Sequence, residues 1–468
     1  MDRKWRTIIL SCMAMCVLFS YTSEMLVSAQ ELKSSTNIKS EGSRKYTYAP
    51  EIKESQPQLA GVKSAFIIDA LNGQVIYNFQ EDEPVEIASL SKLLVVYLVY
   101  KSIDEGKLTL EQEIAISDQA YALSQDYNIA NVPLRQDLRY RIEDLIEATV
   151  LGSANGACLA LAEALAGSQD ICVQMMERQL QAWNVGSFQL YNATGLSVDY
   201  QPQDVGSNKN GKTNTMTARA VAAISYHLLK EYPEVLDYSK TSKKLFQEDT
   251  PDAFEMNNPN KMLKKADYNL SYSNLDGLMV TSSPEDNFSM VSTLDNNKMR
   301  MIAIVLGVKE ENDLYAQSRK LLDYAAHAYR LELAIKAGQE VKQIDGIPLT
   351  NADKEWAPLI YQDDLYLLVP LIDTAPHYQY QFQANQQILK GDRLVAPLEK
   401  GTEVGKMTIE VAGYPLPILE SAEGNQTKVV LAEEVKKVNL FKRTWYSLKQ
   451  AFNTNWQKLR KFFTNVFN

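Results

Sequence analysis

The amino-acid sequence predicts an α+β protein: an antiparallel sheet with helices packed on it, then a small all-β domain, then a C-terminal amphipathic helix. Three observations carry this expectation. Strand-like runs occur at residues 64–79 and return at 278–308, with helical spacing between them. From about Gly338 to Leu431, short alternating runs recur between turn signals such as Asp345-Gly346 and Lys390-Gly391-Asp392. From Phe441 to Val466, apolar residues repeat every 3 or 4 positions, and no acidic residue follows Glu434.

Residues 1–29 read as a secretory signal peptide. Arg3, Lys4 and Arg6 form a basic start, Thr7 to Ser20 is an apolar run, and Val27-Ser28-Ala29 is a small-residue cleavage site. The apolar run is short for a membrane span. Residues 30–60 are polar without apolar period and read as a loose leader. The first domain is expected over 61–337. It opens on two strands, Ser64–Ala70 and Gln74–Phe79, flanking Leu71-Asn72-Gly73, where Asn-Gly is a strong hairpin signal. Helices are expected at 141–151, 157–165 and 217–236, strands at 278–280, 287–293 and 299–308, and a helix over 316–337. The β-rich domain spans 338–432, with strands expected at 340–344, 365–369, 378–383, 394–397 and 406–411. In 436–468, Phe441, Trp445, Phe452 and Trp456 share one face, and Lys442, Arg443, Lys449 and Lys458 share the other. That fits a helix lying in a membrane interface, or else one packed on this protein or a partner.

The 468 residues are 45% hydrophobic and 23% charged, as for a mostly globular chain. The net charge of −10 argues against a nucleic-acid binder. Without residues 1–29, which carry three basic and two acidic side chains, it becomes −11. Cys158 and Cys172 remain after such cleavage, and their apolar helical setting favours buried free thiols over a disulfide. His227, His327 and His377 are isolated, so no metal-ligand spacing exists and no metal or cofactor is expected. Nothing recommends a histidine as catalytic base either.

One stretch offers another base. Ile87-Ala88-Ser89-Leu90-Ser91-Lys92 opens an almost wholly apolar helix that continues to Tyr100. Ser89 and Lys92 are three apart and share one helix face. A desolvated lysine loses proton affinity and can activate a serine. Alone, S-x-x-K is weak, since a chain of this length holds roughly one or two by chance. A second polar set follows in Leu151-Gly152-Ser153-Ala154-Asn155-Gly156, between two apolar helices. There Ser153 can relay a proton, and Asn155 can orient a substrate amide or hold the lysine. S-x-N alone is equally cheap: Ser35-Thr36-Asn37 matches it in the polar leader.

Together these motifs resemble the D-alanyl-D-alanine carboxypeptidases of the low-molecular-mass penicillin-binding proteins, with S-x-x-K at Ser89–Lys92 and S-x-N at Ser153–Asn155. Asn192-Ala193-Thr194-Gly195-Leu196, Thr217-Ala218-Arg219, Asn258-Pro259-Asn260-Lys261 and Asp276-Gly277-Leu278 also fall in family order, so the resemblance covers about residues 62–468. It implies a penicillin-binding/β-lactamase-like domain and a peptidoglycan stem peptide as substrate. It also implies β-lactams as acylating ligands and an anchor on the outer face of the cytoplasmic membrane. By resemblance Ser89 is the nucleophile and Lys92 its base. Ser153 and Asn155 serve the leaving group and the substrate, and the Ser89 amide supplies half of an oxyanion hole.

The third motif departs from the family. Where Lys-Thr-Gly is usual, this chain has Met279-Val280-Thr281-Ser282. In direct register Met279 replaces the lysine; a one-residue bulge would instead put Thr281 at the threonine. These four residues are the expected substrate-binding strand. A lost charge-assisted contact costs about 1.5–3 kcal/mol, and a lost catalytic donor about 10²–10³ in rate. Three readings follow: an active enzyme in which Lys264, Lys265 or another residue covers the charge, a non-catalytic relative that binds wall peptides or scaffolds wall synthesis, or a secreted β-lactamase. The β-domain and tail argue against the last.

Overall fold

The computed structural model describes residues 48–197, 212–264, 269–281, 287–296 and 299–438. They belong to one compact unit, residues 44–468. The signal peptide read over 1–29, Ser282 and Lys265 lie outside the described residues.

The longer elements are numbered in chain order. The sheet of the first domain contains β1 (Ser64–Asp69), β2 (Val75–Phe79), β3 (Leu275–Val280), β4 (Phe288–Asp295) and β5 (Arg300–Val308). Its order is β3-β4-β5-β1-β2, antiparallel throughout. Strands from both ends of the domain thus meet in one sheet, as expected. Both faces of the sheet are covered, so β1 and β5 read as unbroken apolar runs rather than alternating ones. Phe66, Ile68, Ile302 and Ile304 face one core, with α2 (Lys92–Asp104), α3 (Ile142–Leu151), α4 (Asn155–Ala166), α5 (Gln169–Ala182) and α6 (Ala218–Glu231). Ala65, Ile67, Ala303 and Val305 face the other, with α1 (Pro50–Ser55) and α7 (Glu311–Ala328).

Several expectations need correction. Residues 48–60 are not a loose leader: Tyr48 and Ile52, four apart, are buried on the α7 side of the sheet. The helix expected over 316–337 ends at Ala328, and residues 329–335 form β6 (Tyr329–Ile335). It pairs with Leu365–Pro370, from Tyr329 opposite Pro370 to Ile335 opposite Leu365. Leu, Glu and Ala favour helix, but a ready partner strand overrides that preference. Finally, Val435 bridges Leu398 and Lys437 bridges Ala352, so the chain is extended where the amphipathic helix was expected to begin. Past Val438 that segment lies outside the described residues.

The β-rich domain has its own core, including Val341, Tyr361, Leu367, Val404, Met407 and Val429. Its largest sheet joins Leu359–Tyr361, Gln426–Leu431, Glu403–Val411 and Tyr378–Ala384 in that order. The expected strand at 340–344 reduces to one bridge, Glu340 to Ile360.

The β1–β2 turn docks the two domains. Asn72 Nδ2 donates to the Tyr366 carbonyl (2.8 Å), and the Leu368 N–H donates to Gln74 Oε1 (2.7 Å). The Leu419 N–H donates to the Gly73 carbonyl (2.9 Å). Gly73 has φ +75°, and a Cβ there would lie 2.3 Å from that of Ala422, so glycine is required twice over. Nearby, the buried Arg219 pairs with Asp82 (2.9 Å) and with Glu420 of the β-rich domain (3.3 Å).

Candidate active site

Ser89 lies in a 3₁₀ turn, Ala88–Ser91, that hands over to α2 at Lys92. Side chains three apart eclipse in a 3₁₀ turn, which brings Ser89 and Lys92 to one face. Ala88 enters the turn with φ +40°. Ser89 is half-buried and Lys92 fully buried. Burial pushes the Lys92 amine down to about 8, with the neighbouring Cys158 acting the other way. Lys92 Nζ donates to the Thr194 carbonyl at 3.0 Å.

Helix α3 stops at Gly152, and α4 starts at Asn155. Ser153 in the break has φ +52°, uncommon outside glycine. Its buried Oγ has no protein partner. Asn155 Nδ2 donates to the Ala130 carbonyl (2.9 Å), while its buried Oδ1 is also unpartnered. Buried polar atoms are nearly always paired, so two orphans two residues apart mark a place for substrate or water. Cys158 lies one turn along α4 from Asn155 and acts on Lys92, so the start of α4 faces the lysine. Cys158 and Cys172 are buried free thiols, as expected, and burial raises both to about 12.

The 3₁₀ turn packs against β3, the sheet edge carrying the altered motif. Pairing with β4 is continuous from Gly277 opposite Thr293 to Val280 opposite Met290; the irregularity lies earlier, between Leu275 and Gly277. Met279 is therefore in direct register. It is buried in the core that includes the helices. Val280 was expected at the substrate, but it packs on the opposite face with Met290 and Val305, because successive strand residues point to opposite faces. Thr281 accepts from the Ser289 N–H at its Oγ1 (2.8 Å) and donates its own N–H to the Ser289 carbonyl (2.9 Å). Lys264 is exposed.

Asn192 Oδ1 closes the turn at 192–196 by accepting from the Gly195 N–H (2.7 Å). Gly195 has φ +81°, and a Cβ there would lie 1.8 Å from the Ala88 carbonyl oxygen, so this turn rests directly on the Ser89 segment. Asn214, which sequence reasoning missed, bonds to both; no motif spacing announces it. A groove of about 260 Å³ is lined by Tyr127, Asn131, Gly152, Glu255 and Asn257 among others; Gly152, the residue before Ser153, is its link to the site. Among the described residues, no cluster of His, Cys, Asp or Glu suits a metal, and no single helix is long and apolar enough to cross a membrane.

Comparison with known proteins agrees with this geometry. Residues 51–310, more than half of the chain, match the D-alanyl-D-alanine carboxypeptidase family, and residues 329–437 match the penicillin-binding protein 5 C-terminal domain. The chain is 25% identical to the Escherichia coli (strain K12) D-alanyl-D-alanine carboxypeptidase DacA, covering 85% of this chain and 89% of that protein. It is 22% identical to DacF of Bacillus subtilis, covering 82% and 88%. Among solved structures, a peptidoglycan synthesis regulatory factor (PBP3) of Streptococcus pneumoniae superposes with TM-score 0.69 at 27% identity, covering 80% of this chain and 99% of that one. Penicillin-binding protein 5 of Haemophilus influenzae superposes at 0.63 with 20% identity, covering 82% and 99%, and shares the fold. The chain belongs to the D-alanyl-D-alanine carboxypeptidase family of serine peptidases, the low-molecular-mass penicillin-binding proteins.

Proposed function

We propose that the protein removes the terminal D-alanine from peptidoglycan stem peptides through an acyl-enzyme on Ser89. The observation that carries this reading is a fully buried lysine, lowered to about 8, one turn from a half-buried serine. Ser89 Oγ attacks the carbonyl carbon between the two D-alanines, and Lys92 takes the hydroxyl proton. The backbone N–H of Ser89 stabilises the oxyanion. As the C–N bond breaks, a proton reaches the departing amine through Ser153. Water then attacks the ester and gives a proton to Lys92, which passes it to Ser89 Oγ as the acyl C–O bond breaks, leaving the serine hydroxyl and the neutral amine as at the start. Asn155 Oδ1 orients the peptide, and the groove lined by Gly152 takes its upstream part. Met279 and Thr281 line the edge strand where the D-alanine carboxylate lies. β-Lactams acylate the same serine.

The protein works outside the cytoplasm, and the basic aromatic segment past Val438 rests on the outer face of the membrane. The basic–apolar–small pattern of residues 1–29 and the two-faced spacing of 441–466 support this reading. Vesicle sedimentation with and without residues 439–468 tests the anchor; equal binding by both forms rules it out.

A fluorescent penicillin should label the wild-type chain and leave Ser89→Ala unlabelled. Absence of labelling on folded wild-type protein at high ligand concentration sinks the enzyme reading. Release of D-alanine from a D-Ala-D-Ala peptide then separates turnover from trapping.

A further inference from the structure

The carbonyl that receives Lys92 belongs to a turn 102 residues away in the chain. That turn is closed internally by Asn192, whose Oδ1 accepts from Thr194 Oγ1 (3.1 Å) and the Gly195 N–H (2.7 Å). Neither bond ties it to the segment carrying Ser89. Asn214 does. Its side chain is fully buried. Its Oδ1 accepts from the backbone N–H groups of Tyr191 (2.7 Å) and Asn192 (3.3 Å). Its Nδ2 donates to the Asn192 carbonyl (2.8 Å) and to Ser91 Oγ (2.9 Å). Its own carbonyl accepts from the Ile87 N–H (3.0 Å). Every donor and acceptor position of the amide is used, half of them in ways a carboxylate could not reproduce.

These bonds bracket the nucleophile turn at Ile87 and Ser91 and the receiving turn at 191–192. We propose that Asn214 is a positioning residue for Lys92: its side-chain amide locks the two turns together and so sets the hydrogen bond from Lys92 Nζ to the Thr194 carbonyl. None of these hydrogen bonds goes to Ser89 or Lys92 themselves. The catalytic consequence rests on Lys92 being the base; the positioning itself does not. A carbonyl held against Nζ favours the ammonium form, so loosening it lowers the proton affinity further. The titratable group that acts on Lys92 from α4, Cys158, is left in place by this change.

The test uses the whole chain labelled with ¹³Cε-lysine, the Lys92 signal being assigned from its loss in Lys92→Met. The titration midpoint of Lys92 and the rate of acylation by a fluorescent penicillin are measured for wild type, Asn214→Ala and Ser91→Ala. In Asn214→Ala the midpoint should fall by about half a unit or more. Acylation per folded molecule at neutral pH should drop roughly 10- to 100-fold, the cost of misplacing a reacting group by about 1 Å. Ser91→Ala removes one of the four side-chain bonds and should move both readings the same way by less. If Asn214→Ala does not fold, the Ser91→Ala shift decides. An unchanged Lys92 midpoint in a folded variant overturns the inference, whatever the rate does. A shifted midpoint in a protein that no penicillin acylates would sustain the positioning and sink the catalytic reading instead.

Discussion

Lys92 Nζ and the carbonyl oxygen of Thr194 form a 3.0 Å hydrogen bond deep in the helical half of the first domain. Burial lowers the amine, the Cys158 thiol acts the other way, and no carboxylate is among the causes. A lysine held this way by one neutral acceptor is costly to bury charged, and it is poised to work neutral.

Lys92→Met should therefore stabilise the fold at neutral pH. The native amine, at about 8, binds its proton less well than the unfolded one at 10.5. The cost of burying the ammonium is present in full below pH 8 and is relieved as pH rises from about 8 to 10.5. A lowering of this size corresponds to about 3 kcal/mol. Urea unfolding at pH 7 and pH 10 should show a clear gain at the first and a reduced gain at the second.

Acylation should follow the same group. Below pH 8 the amine is mostly protonated and cannot accept the Ser89 proton, so the rate should fall about tenfold per unit toward acid. Above pH 8 it should level off. Stopped-flow acylation across pH 6 to 9.5 reads this; a rate flat across that range would remove Lys92 from the base role.

Met279→Lys should raise activity. The side chain stands on the sheet face shared with the helical core, in direct register after Asp276-Gly277-Leu278. A charge there that meets the substrate carboxylate should recover about 1.5–3 kcal/mol of binding, roughly 10- to 100-fold in kcat/KM for a D-Ala-D-Ala peptide. Some stability should be lost, since position 279 is buried. Unchanged kcat/KM in a folded variant would mean the strand does not reach the carboxylate.

Asp69 sets a pH dependence of its own at the domain junction. Burial raises its carboxyl to about 6, against the hydrogen bond from the Asn72 N–H. A raised acid binds its proton better when folded, so this contribution is present below pH 3.8 and lost as pH rises through about 6. Asp69→Asn should gain roughly 3 kcal/mol above pH 6 and nothing near pH 3.5, by thermal or urea unfolding.

Much of this was legible in the chain. The Asn72-Gly73 hairpin, the helices flanking Ser153, and the apolar run of β5 all appear where local pattern puts them. The β6 strand did not, because Tyr329–Ile335 carries helix formers, and its strand state depends on Leu365–Pro370 being beside it. Tyr48 and Ile52 were hidden in a polar stretch, where two apolar side chains make no period. Val280 was misread because a motif is a string, while a strand alternates.

The sequence by itself determined the fold class, the two domains and the two polar sets, since strand and helix periodicity and short motifs are local properties of the chain. Tertiary structure decided how the site is held: that Thr194 receives Lys92, that Asn214 ties Ser91 to the turn before Thr194, and that Met279 and Val280 part to opposite faces. Those relations join residues 102 and 123 positions apart or depend on sheet register, and a hydrogen bond between such partners exists only once packing has brought them within 3 Å.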